Sequence, residues 1–73
     1  MANQPTMTEV NSSLIQSIGY DTTAKTAYVQ FKSGATFMYF DVASADYDML
    51  RDAHSVGKYF NETFKHKYSY GRM

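Results

Sequence analysis

The chain has 73 residues, no cysteine and a formal net charge of zero. That length holds at most one domain, which buries only about 60% of its unfolded surface, and the lack of cysteine excludes disulfide staples and thiolate metal sites. With zero net charge, strong non-specific attraction to nucleic acid is disfavoured, and the core must come from packing, chiefly of seven Tyr, five Phe and five Met.

Residues 1–9 are polar around Pro5 and read as a flexible N-terminal arm. The opening "MANQPTMTEVNSS" lacks the basic and apolar regions of a signal peptide. No apolar run approaches the roughly 20 residues of a membrane span, so a soluble cytoplasmic protein is expected. Residues 10–70 read as one α+β domain and 71–73 as a tail.

"LIQSIGY" (14–20) alternates Leu14, Gln16, Ile18 and Tyr20 against Ile15, Ser17 and Gly19, the pattern of a half-buried strand. "DTTAK" is the turn. "TAYVQF" (26–31) places Ala27, Val29 and Phe31 on one face, with Thr26, Tyr28 and Gln30 on the other. "ATFMYF" (35–40) is apolar on both faces, so its register follows from the loop. A three-residue Lys32–Ser33–Gly34 connection, with Gly34 left-handed, pairs Val29 with Phe37 and Ala27 with Tyr39. Tyr28, Met38 and Phe40 then share the opposite face.

"ASADYDMLRDAH" (43–54) reads as a helix capped by Ser44, with Asp46 and Asp48 suiting its positive end. Tyr47, Leu50 and His54 form its stripe. "VGKYFNETFKHKY" (56–68) reads as a second helix, with Val56, Tyr59, Phe60, Thr63 and Phe64 in helical register. Ser55 is placed to cap it, and Gly57 allows a close backbone approach. The expected architecture is a three-stranded antiparallel β-meander followed by two α-helices packed on one sheet face.

Three stretches, "VNSSLIQSIGYD", "YVQFKSGATFMYFDV" and "AHSVGKYFNETFKHKY", in that order and spacing, resemble the KTSC domain. That family is named after a C-terminal extension of some lysyl-tRNA synthetases and includes small stand-alone bacterial and phage proteins. The resemblance spans about residues 10–68. The family's Tyr-x-Tyr strand falls on Phe37-Met38-Tyr39, and its Ser, Gly and Asn at the start of the last helix fall on Ser55, Gly57 and Asn61. The resemblance implies RNA binding only by association with a synthetase.

No catalytic constellation accompanies these elements. His54 and Ser55 are sequence neighbours without an orienting third group, and no Gly-x-Ser-x-Gly elbow occurs. His54 and His66 stand too far from other ligand types for a metal site, and the aspartates break the calcium-loop pattern. A non-enzymatic binding module is expected, without metal or cofactor. Its candidate contacts are Tyr28, Met38 and Phe40 on the open sheet face, which can stack bases. The basic candidates are Lys32, Lys58, Lys65, Lys67 and Arg72, with Ser55 at the helix start, where free N–H groups favour an anion. Charge is uneven: Asp41, Asp46, Asp48 and Asp52 face only Arg51 within 41–52, whereas Lys58, Lys65, Lys67 and Arg72 face only Glu62 beyond it. The expected ligand is RNA or single-stranded nucleic acid. The alternative is a protein-interaction module, such as a phage or prophage protein modulating a host enzyme, and the open face is also where a second copy of the domain would pack.

Overall fold

Strands form where period-two alternation meets turn chemistry. The computed structural model describes residues 5–73; the first four residues of the expected arm lie outside the described residues. The chain runs β1 (Thr8–Glu9), β2 (Ile15–Asp21), β3 (Thr26–Phe31), β4 (Thr36–Tyr39), α1 (Ser44–Arg51), α2 (Val56–Glu62), a 3-10 turn (Phe64–His66) and β5 (Tyr70–Arg72).

The Asp21 carboxylate closes the β2–β3 turn by accepting from the Thr23 and Ala24 N–H groups at 3.0 and 3.1 Å. The β3–β4 loop takes the anticipated register. Ala27 pairs with Tyr39 and Val29 with Phe37, the Phe31 N–H donates to the Ala35 carbonyl at 2.8 Å, and Gly34 has φ +103°, a conformation glycine adopts without a Cβ penalty.

The sheet has five strands, not three, in the order β1-β2-β3-β4-β5 with every pair antiparallel. β1 comes from the expected arm, and β5 joins the last residue of the expected domain, Tyr70, to the expected tail. Both are too short to carry an alternation of their own. They form because the edges of β2 and β4 present unpaired backbone groups.

β2 departs from simple alternation. Ile15 pairs with Phe31 and Ser17 with Gln30, which leaves Gln16 as the extra residue of a β-bulge. The bulge puts Ile15 on the same face as Ile18, against the expected split, and both are fully buried.

Both helices pack on that face. Leu50, Val56, Phe60 and Phe64 join Ile15, Ile18, Ala27, Val29, Tyr39, Val42 and Tyr47 in one core. Tyr20 extends it by stacking on Tyr47 at 5.1 Å between centroids while its hydroxyl donates to the Val42 carbonyl. α1 is capped at Ala43 with no side-chain hydrogen bond; Ser44 is its first helical residue, not its cap. His54 lies beyond the end of α1 and is exposed, so it leaves the expected stripe. α2 starts as anticipated, with the Ser55 hydroxyl accepting from the Lys58 N–H at 3.3 Å. It stops at Glu62, because the chain turns at Thr63 (φ −127°, ψ −59°) and continues as a 3-10 turn. Gly57 approaches the side chain of Ser12, not the backbone of the sheet or of α1: a Cβ there would lie 2.8 Å from the Ser12 hydroxyl.

Candidate functional site

α1 lies against β2, and α2 reaches β3 and β4 through Phe60, whose ring meets Phe31 and Tyr39. Toward β4 and β5 the covered face emerges from under α2 and leaves a groove of about 470 Å³. Its sheet side is Phe31 of β3, Phe37 and Tyr39 of β4, and Tyr70 of β5. Its helix side is Phe60 and Asn61 of α2 with Lys65 and His66 of the 3-10 turn, and Leu14 completes the lining. Strand alternation explains the sheet side, because Phe37 stands opposite Arg72 and Tyr39 opposite Tyr70.

The rings brace one another. Phe31 meets Phe37 edge-on at 5.6 Å and Phe60 at 5.4 Å, while Tyr70 lies 5.7 Å from Phe37 and 5.6 Å from Tyr39. Such contacts fix a rigid aromatic wall. Phe31 and Phe37 remain half-buried and Tyr70 is exposed. The Arg72 guanidinium sits 6.0 Å from the centroid of Phe37, within cation–π range. Lys65 and Arg72 take part in no ion pair among the described residues, and no carboxylate lines the groove.

Tyr39 differs from the other rings. It is 4% exposed, and its hydroxyl has no hydrogen-bond partner among the described residues. No fully buried polar side-chain atom there lacks a partner, so this hydroxyl keeps some access to solvent, and Tyr39 is one of the side chains that line the groove. Burial, and secondarily the neighbouring Tyr70, pushes its pKa up to about 12, which keeps it neutral as both donor and acceptor.

The other candidate residues fall in three places. Tyr28, Met38 and Phe40 occupy the opposite face. Tyr28 pairs with Met38 across the strands, both half-buried, and Phe40 is 40% exposed. That face carries cover of its own chain: a Cβ at Gly19 would lie 2.7 Å from the Met7 sulfur and 3.1 Å from the Thr6 carbonyl, and one at Gly71 would lie 3.4 Å from the Phe40 ring. Lys32 is exposed in the β3–β4 loop, where its N–H donates to the Leu14 carbonyl at 3.0 Å, and it does not itself line the groove. Ser55 and Lys58 line a shallower hollow of about 290 Å³ that also holds Glu62, and the Ser55 hydroxyl there is engaged as a cap. Lys67 is paired with Asp46 at 2.9 Å. Of the basic candidates, then, Lys65 lines the aromatic groove and Arg72 lies beside its Phe37 ring.

None of Leu14, Phe31, Phe37, Phe60, Asn61, His66 and Tyr70 is among the contacts expected from the sequence, yet all of them line the groove. Phe60 is 2% exposed. No signal in the chain shows that α2 ends early enough to uncover Phe31 and Phe37. Tyr70 and Arg72 on either side of Gly71, too short a run to read as a strand, are the one trace of the outer wall.

Comparison with known proteins gives consistent results. The model of the KTSC domain matches residues 11–68. An uncharacterized protein of Stutzerimonas stutzeri is 37% identical over 65 residues, covering 88% of this chain and 92% of its own. A protein of Tsukamurella paurometabola is 34% identical over 62 residues, covering 85% and 92%. The crystal structure of a KTSC domain protein from Yersinia pestis superposes with a TM-score of 0.86 at 30% identity, covering 93% of this chain and 96% of that one.

Proposed function

We propose, since this chain belongs to the KTSC domain family, that it is a non-enzymatic module that binds single-stranded nucleic acid through the groove between α2 and β5. The observation that carries this reading is the composition of the groove: five aromatic side chains, with Lys65, His66 and Asn61 beside them and no carboxylate. Bases stack on aromatic side chains whatever their identity, and lysine and arginine neutralise phosphates. Zero net charge for the chain does not oppose this, because no acidic side chain lines the groove and three of the seven are held in ion pairs elsewhere. Arg51 pairs with Asp48 and Asp52, and Lys67 with Asp46.

Fluorescence anisotropy with labelled short oligoribonucleotides over a salt series tests the proposal. Affinity falls as salt rises, and changing Lys65 and Arg72 together to Gln flattens the log–log slope by about 1.4, for two lost phosphate contacts on a single strand. Lys67 is unsuitable for this test because its loss also breaks the Asp46 pair. Binding that ignores salt, or that survives the double change with its slope intact, removes the proposal.

A second reading rests on the edge of the sheet. Ser69 and Met73 bond toward β4, so by strand alternation the backbone groups of Tyr70 and Arg72 face outward. Phe40, Tyr70 and Met73, three of the exposed large apolar residues, belong to this edge or adjoin it. A protein partner that adds a strand there binds with little salt dependence and is lost in Arg72→Pro, which removes an outward N–H.

A further inference from the structure

We infer that the groove selects among bases, with the Tyr39 hydroxyl as the group that reads the base edge; the inference rests on the nucleic-acid reading of the same groove. A surface that only stacked bases would need rings and cations. Tyr39 supplies something more. Its ring is fixed between Phe60 at 5.6 Å and Phe64 at 5.6 Å, and Tyr70 lies beside it at the same spacing. The side chain is 4% exposed and lines the groove, yet its hydroxyl, which is not fully shut off from solvent, meets no protein acceptor or donor among the described residues.

A polar group so deeply placed favours an occupant that completes its hydrogen bonding. An apolar side chain from a partner would bury the hydroxyl unsatisfied. A flat ring with polar atoms on its edge satisfies it while stacking on the aromatic wall, and a nucleobase is such a ring. Asn61, on the helix side of the same groove, adds an amide that both donates and accepts. Lys65, from the 3-10 turn, lies within reach of the phosphate that accompanies the base. The stacking rings tolerate every base, the cation neutralises every phosphate, and discrimination falls to Tyr39 with Asn61 beside it. Sites built around a hydrogen bond reject ligands that cannot make it more strongly than apolar pockets reject a change of shape.

Four homopolymeric oligoribonucleotides of equal length, one for each base, are titrated against the full chain and against Tyr39→Phe and Lys65→Gln. Wild type ranks the four with at least a fivefold spread. Tyr39→Phe keeps the ring and the stacking but narrows the spread about fivefold, the worth of one neutral hydrogen bond, with the salt slope unchanged. Lys65→Gln weakens all four alike and reduces the slope. Near-ultraviolet circular dichroism of each variant confirms that the aromatic wall is intact. Equal binding of all four by wild type, or an unchanged spread among the four in Tyr39→Phe, overturns the selectivity while the nucleic-acid reading stands. No binding of any of the four by a folded wild type overturns both.

Discussion

Asp46 sits in the first turn of α1, where a carboxylate favours the helix end, but it works at longer range. It accepts hydrogen bonds from the Tyr68 hydroxyl and from the Lys67 ammonium at 2.9 Å, and these two residues lead into β5. Those bonds, Tyr68 first, hold the Asp46 carboxyl below its usual pKa, and burial with the Asp46 bond pushes Tyr68 up to about 12. Asp46 therefore adds stability that is complete above the ordinary aspartate value of about 3.9 and is lost as pH falls through the lower folded-state value. Asp46→Asn is expected to unfold about 4–8 °C lower at pH 7, for a loss of about 1 kcal/mol. The difference in melting temperature from wild type shrinks as pH drops below 4. A constant difference across that range would mean that Asp46 acts by its shape and not by its charge. Asp46 was legible in the sequence as a helix-start residue. Its partners were not, since charge pattern alone does not bring Lys67 across 21 positions.

The short strands β1 and β5 exist because longer neighbours offer open edges, and small residues let other groups settle beside them. Gly19 is the clearest case: the chain at Thr6 and Met7 crosses the sheet where a side chain would stand. Gly19→Val is expected to displace β1 and the residues before it, lowering stability by about 1–3 kcal/mol through overpacking. The core formed by Val29, Leu50 and Phe64 on the other face keeps its near-ultraviolet signal. Loss of hydrogen-exchange protection at Val10, whose N–H donates to the Gln16 carbonyl at 3.2 Å, reads the displacement directly. At this scale the sequence was informative wherever several residues agreed. Alternation and a three-residue loop placed β3 and β4 in register, and Ser55 marked the start of α2. It was uninformative where one residue changes phase: nothing around Gln16 announces a bulge, and nothing in the register of Phe60 and Phe64 announces that the helix tightens between them.

At the scale of the whole fold, β4 and β5 are, among the described residues, the only adjacent strands that residues of other elements separate in the chain. β2, β3 and β4 are joined by tight turns, whereas residues 40–69, with both helices, intervene before β5 arrives. β5 also has fewer partners than the strands inside the sheet, and its Tyr70 and Arg72 are exposed. Native-state hydrogen exchange is expected to rank the amides accordingly. Those of Phe40 and Met73, which donate to the Ser69 and Thr36 carbonyls at 2.9 Å on either side of β5, exchange through a small local opening, and those of Ala27 and Val29 only on global unfolding. Equal protection throughout would make the sheet a single cooperative unit. The α+β class and the one-sided helical layer were legible from the order of elements, while the groove was not. Its walls come from strands and turns far apart in the chain, and its mouth depends on where a helix stops. The late position of β5 also orders events in time. Local hairpins close before a contact that waits on a long connection, so the outer wall of the groove is expected to assemble last. An occupant of the groove then meets only the completed fold: it slows the first step of unfolding and leaves the early steps of folding at their own rate.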